Sequence, residues 1–220
     1  MGVFCEALAP AYRILAPDLR GYGASRVRQD YRLEAHLDDL TELLEAQQID
    51  RCMVLGWSLG GILAMELALR HPERIVGLIL IATAARPVGN HPRPTGLETA
   101  NTAIASLLNL VVPGHPWVIN TFAKRSLYRY LLQQHTQPAY QRLAREGFGA
   151  YMATSPQAHR ALNRALAQGY NRLDAISSLP CPSLVLCGAE DRHITAAASL
   201  ETATRLPPVE SRSYPNTAHL

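Results

Sequence analysis

The sequence predicts an α/β fold, a mostly parallel sheet flanked by helices and interrupted by a helical insertion. Three observations predict it. Short apolar, β-branched runs alternate with helix-period segments in residues 1–86 and again in 171–220. Residues 87–170 contain no convincing strand and carry repeated helical patterns instead. Finally, "RIVGLILIATA" is apolar throughout, as expected of a strand buried on both faces. The chain therefore reads as one domain in three stretches: core in 1–86, helical cap insertion in 87–170, core again in 171–220.

The elements follow in order. Tyr12–Ala16 is strand-like and runs into the turn-formers Pro17, Asp18, Gly21 and Gly23. Leu33, Leu37, Leu40, Leu43 and Leu44 recur at helical spacing with acids between them, which predicts an amphipathic helix. "RCMVLGW" reads as a strand, "LGGILAMELALRHPER" as a helix stopped at His71-Pro72, and "RIVGLILI" as the next strand. In the insertion, helices are expected around Glu98–Val111, Pro116–Gln133, Pro138–Met152 and Pro156–Gln168. "CPSLVLCGAED" then reads as a strand, "AAASLETATRL" as a helix and "VESRSY" as a final strand.

Composition narrows the function classes. Apolar residues make up 48% and charged residues 18%, ordinary for a globular chain. The net charge is only +3 and Lys124 is the single lysine, so nucleic acid is not an expected partner. Cys5, Cys52, Cys181 and Cys187 form no C-x-x-C pair and read as free thiols of a reducing compartment. The start "MGVFCEALAP" lacks the features of a signal peptide, and "IASLLNLVVPG" is too short and too broken to span a bilayer. A cytoplasmic location is the expectation. His36, His91, His115, His135 and His159 show no ligand spacing, so no metal is expected, and no other cofactor.

The chemistry centres on Gly56-Trp57-Ser58-Leu59-Gly60, a G-x-S-x-G set between a predicted strand and a predicted helix. A serine on so tight a turn has crowded neighbours, so Gly56 and Gly60 are expected to be small, with Gly61 adding room. The turn displays the hydroxyl at a helix N-terminus, where the Leu59 N–H can meet an oxyanion. The competing role for Ser58 is a plain helix cap.

A nucleophilic serine needs a base and an acid after later strands. His219 follows the last strand and is the candidate base. Asp191 follows the strand before it and is the candidate acid, with Glu190 its adjacent rival. His71 reads as a helix-end residue and His193 as a loop residue beside the acid.

The motifs "DLRGYGAS", "LGWSLGG", "HPERIVGLILI", "LVLCGAED" and "NTAHL" occur in one order over nearly the whole chain. In this the sequence resembles the α/β-hydrolase superfamily, and within it the cap-bearing serine esterases. The resemblance implies nucleophile Ser58, acid Asp191, base His219 and an oxyanion donor at Leu59, with Trp57 beside the substrate. It implies cleavage of a carboxylic ester or thioester of a small or medium acyl group through an acyl-enzyme. The elbow is also similar to that of carboxylesterases acting on acyl-carrier-protein esters, which makes a carrier-bound acyl group a candidate partner. Acyl transfer on the same triad, or a non-catalytic receptor or inactive fragment, are the alternatives.

The family pattern also has earlier strands and an "HG" loop bearing a second oxyanion N–H, and a closing helix after the base. The chain reads as truncated at both ends against that pattern. The absent strand is expected to leave a gap between Tyr12–Ala16 and Arg51–Leu55. Leu107, Leu108, Leu110, Val111, Trp117, Phe122 and Leu131 of the cap are expected to pack its core or line an acyl pocket. The cap's Arg93, Lys124, Arg125, Arg129, Arg142, Arg145, Arg160 and Arg164 face only Glu98 and Glu146 as counter-charges, which suits an acidic partner or a solvated face.

Overall fold

A computed structural model describes residues 2–27 and 30–220. The core begins with helices α1 (Gly2–Leu8) and α2 (Leu33–Ala46). Strand β1 (Cys52–Trp57), helix α3 (Leu59–Arg70) and strand β2 (Ile75–Ile81) follow. After the insertion come β3 (Ser183–Gly188), α10 (Ala196–Ala203) and β4 (Val209–Tyr214). The strands form one sheet in the order β1-β2-β3-β4, every pair parallel. Parallel neighbours need crossover connections, and α3 and α10 serve two of the three.

Burial explains the sequence patterns. In β2, Leu78 and Leu80 are fully buried, as a run apolar on both faces requires. Helix α3 is buried along most of its length, from Gly61 to Ala68, because it lies between the sheet and α2. Its one buried acid, Glu66, accepts a hydrogen bond from Arg172 Nε at 2.7 Å. The six residues of β4 are exposed, and Glu210 and Arg212 place charge on that edge.

The expected strand at Tyr12–Ala16 does not form. The segment joins no ladder, and Tyr12 and Leu15 are exposed. A strand exists only with a neighbour to exchange backbone hydrogen bonds, and none stands beside this run among the described residues. Arg13 instead reaches the end of α2, donating to Gln47 Oε1 at 2.8 Å. The sheet ends at β1, whose outer edge, on the side where the gap is expected, pairs with no strand among the described residues.

The insertion holds α4 (Gly96–Val111), α5 (Pro116–Thr121), α6 (Tyr128–Leu131), α7 (Gln137–Arg142), α8 (Phe148–Met152) and α9 (Pro156–Ala167). A capping box between Thr95 and Glu98 starts α4. The helix expected over Pro116–Gln133 is broken. Ser126 Oγ donates to Ala123 O at 2.7 Å and accepts from Tyr128 N at 3.1 Å, so its side chain replaces helical bonds. The helix expected over Pro138–Met152 is likewise interrupted by a π-helical turn at Leu143–Gly147.

The cap has its own small core of Ala105, Ile119, Ala123, Leu132 and Tyr140, with Phe122 packed against it. Leu107, Leu110, Val111 and Trp117 are exposed instead. All four cysteines are free thiols. Among the described residues no helix is long and apolar enough to cross a membrane.

Candidate active site

Ser58 sits between the end of β1 and the start of α3 at φ 53° and ψ −118°. Positive φ strains a residue with a Cβ, and the surroundings must hold it there. The Ser58 N–H donates to Ile81 O at 2.9 Å, which pins the turn to the end of β2. Gly56 and Gly61 make the turn sterically feasible. A Cβ on Gly56 would lie 2.3 Å from the Gly60 carbonyl oxygen, and one on Gly61 would lie 2.3 Å from Thr83 Cγ2. Gly60 differs from expectation, because a Cβ there would meet nothing within 4 Å. Its backbone, not its missing side chain, crowds Gly56.

The Ser58 side chain makes no capping bond to α3. Its Oγ lies 3.0 Å from His219 Nε2. His219 Nδ1 lies 2.7 Å from Asp191 Oδ2. A carboxylate only accepts, so Nδ1 carries the proton, Nε2 presents its lone pair and the Ser58 hydroxyl donates to it.

Asp191 and His219 are both buried. A buried carboxylate is tolerable only with its oxygens satisfied. Asp191 Oδ1 accepts from His193 N at 2.8 Å and Ile194 N at 3.0 Å, leaving Oδ2 for His219. Glu190 points elsewhere. Its Oε2 accepts from Thr217 N at 2.9 Å while its own N–H donates to Thr217 O at 3.0 Å, so it clamps the loop that carries His219.

Leu59 and Gly60 open α3, and the first N–H groups of a helix have no intrahelical acceptor. The Leu59 N–H thus stands beside Ser58 as a donor for negative charge. Trp57 is turned toward the histidine. Its Nε1 donates to His219 O at 3.2 Å, and the two ring centroids are 5.4 Å apart.

Several contributors escape sequence reasoning. A Cβ on Gly188 would lie 2.3 Å from Ala218 O and 2.4 Å from Thr217 O, so only glycine at the end of β3 lets the His219 loop approach. The cap also grips that loop, with Gln134 Nε2 donating to Asn216 O at 3.0 Å and Leu220 N donating to Leu131 O at 2.8 Å. A glycine after an apolar run was the one visible signal. The cap contacts leave none in the sequence. Among the described residues no group of three or more His, Cys, Asp or Glu side chains is arranged to hold a metal.

Comparison with known proteins accords with this arrangement. A family model described as alpha/beta hydrolase fold matches residues 2–220. A 2-hydroxymuconate semialdehyde hydrolase of Pseudomonas putida is 32% identical over 211 residues, covering 94% of this chain and 70% of that protein. A pimeloyl-(acyl-carrier protein) methyl ester esterase of Aromatoleum aromaticum is 30% identical over 226 residues, covering 96% and 82%. The solved structure of a thermophilic esterase from Thermogutta terrifontis superposes with a TM-score of 0.72 at 24% identity, over 98% of this chain and 75% of that one, a likeness of fold.

Proposed function

The chain belongs to the α/β-hydrolase fold family, and from that premise we propose that it is a serine hydrolase cleaving a carboxylic ester or thioester through an acyl-enzyme. The observation that carries this reading is the unbroken relay from Asp191 Oδ2 through His219 to Ser58 Oγ, at 2.7 and 3.0 Å. Ser58 Oγ attacks the acyl carbon as His219 Nε2 takes its proton. Asp191 holds the imidazole and balances the imidazolium. The carbonyl oxygen gains negative charge and accepts from the Leu59 N–H. His219 returns its proton to the leaving alcohol or thiol, and the acyl group remains on Ser58. Water, deprotonated by His219, then releases the acid and restores the serine.

The substrate is a small or medium acyl ester. A carrier-bound acyl group is a specific form of it, supported by the similarity to the Aromatoleum aromaticum esterase and by the cap's excess of arginine. Two of those arginines are already paired, Arg129 with Glu98 at 2.6 Å and Arg142 with Glu146 at 3.7 Å. Those that form no ion pair among the described residues are Arg93, Arg125, Arg145, Arg160 and Arg164, all exposed.

The test is labelling by a fluorophosphonate probe together with hydrolysis of 4-nitrophenyl butyrate. Both are expected for the natural chain and both are expected to vanish in Ser58→Ala. Labelling that persists in Ser58→Ala overturns the assignment of the nucleophile.

A further inference from the structure

His193, by sequence a loop residue beside the acid, has its ring against the candidate base. The His193 and His219 centroids are 4.7 Å apart with the planes at 65°, an edge-to-face contact. On its other side His193 stacks on His91 at 5.7 Å and 7°, and His91 stacks on Tyr130 at 5.5 Å. A column of four rings thus runs from the core to helix α6 of the cap.

Each member is fixed by its backbone or its polar end. Asp191 Oδ1 accepts the His193 backbone N–H at 2.8 Å, so the carboxylate that meets His219 also anchors the main chain that carries the ring beside it. The N–H groups of Asn90 and His91 donate to Arg192 O at 3.0 and 3.3 Å, which ties the loop after β2 to the loop after β3. Tyr130 Oη donates to Glu98 Oε1 at 3.1 Å inside the cap.

The hydrogen bonds to Asp191 and Ser58 fix the two ring nitrogens of His219 and leave the tilt of the ring plane to its packing. Trp57 restrains the ring with its centroid 5.4 Å away at 38°. His193 supplies a second restraint at a different angle. We propose that His193 is a positioning residue of the Ser58 site, a ring that holds the His219 imidazole on the line between Asp191 and Ser58 and couples it to the cap through His91 and Tyr130. This rests on the serine-hydrolase reading above.

The experiment compares His193→Ala and His193→Phe with the natural chain and with Ser58→Ala, using 4-nitrophenyl butyrate and thermal melts. An aromatic contact of this kind is worth a factor of roughly three to ten in rate when it holds a catalytic ring. His193→Ala is expected to lower kcat by about that factor with KM changed less than about twofold. His193→Phe, which keeps a ring, is expected to recover most of the loss. Should His193→Ala melt below the assay temperature, His193→Leu replaces it, with the same loss expected from a side chain that fills space without a ring. An unchanged kcat in the ring-less variant overturns the proposal, and so does equal loss in the Phe variant. Activity that survives in Ser58→Ala overturns the underlying assignment of the site instead, so the two failures are distinct.

Discussion

The Trp57 indole N–H donates to the backbone carbonyl of His219 at 3.2 Å, joining the residue before the candidate nucleophile to the candidate base across 162 positions of sequence. The bond acts on the main chain of His219, so it sets where the imidazole starts from. Trp57→Phe keeps an aromatic ring and deletes the donor. A neutral hydrogen bond is worth about 1 kcal/mol net, so kcat/KM is expected to fall about fivefold while the melting temperature moves by only a few degrees. Loss of a hundredfold or more would mean that Trp57 does more than hold that carbonyl.

The two neighbouring acids should separate cleanly. Asp191 Oδ2 meets His219 Nδ1 at 2.7 Å, whereas Glu190 Oε2 meets Thr217 N at 2.9 Å. Asp191→Asn replaces an acceptor with an amide that can favour the wrong imidazole tautomer, and in serine triads such a change costs about 10⁴ in kcat. Glu190→Gln keeps an acceptor for Thr217 and is expected to cost no more than about tenfold. Steady-state kinetics on the two variants decide the matter, and a reversed order of losses would make Glu190 the acid.

The glycines of the turn are predicted to differ in kind. Gly56→Ala drives a methyl into the Gly60 carbonyl, with a closest distance of 2.3 Å to a backbone atom that cannot step aside. Overpacking of this sort costs about 1–3 kcal/mol or more. Gly60→Ala meets open space and gains helix propensity at the start of α3, worth up to about 1 kcal/mol. Chemical denaturation should therefore show the first variant less stable and the second equal to or above the natural chain. A strongly destabilised Gly60→Ala would contradict the geometry.

These contrasts mark what a sequence can and cannot carry. The strands β1 to β4 were legible because each is a compact run bounded by turn-formers or charge, and α2 because its leucines fall on one face. The Tyr12–Ala16 run has the same local character and stays out of the sheet, since pairing belongs to two segments and a local run carries only one of them. Helix breaks at Ser126 and at Leu143–Gly147 depend on a hydroxyl choosing local carbonyls and on a change of helical pitch, which apolar spacing does not encode. Ser58, Asp191 and His219 could be named from strand ends and glycine placement. Glu190 and Asp191 are not told apart by sequence, because adjacent carboxylates differ only in where each side chain points, here to Thr217 N and to His219 Nδ1. The contacts of Trp57, Gly188 and His193 with the His219 loop join distant segments, and no local pattern encodes them.

Acid should weaken the fold through His193 in a definite window. Its ring is exposed at the surface yet hemmed in on its other sides, and desolvation is the largest cause lowering its pKa to about 4, followed by the positive charge available to His219 and His91. His159 of α9 adds to the depression and Asp191 opposes it. In the unfolded chain the same imidazole binds a proton near pH 6.5. Between pH 6.5 and 4 the unfolded state therefore holds more protons, and stability falls as pH is lowered through that interval. Burial lowers the pKa of His36 and His135 as well, and their effect has the same sign. His193→Phe removes one of these contributions. The drop in melting temperature between pH 7 and pH 4.5 is expected to be smaller in that variant than in the natural chain. An identical drop in both would show that His193 takes up its proton as readily in the folded state as in the unfolded one.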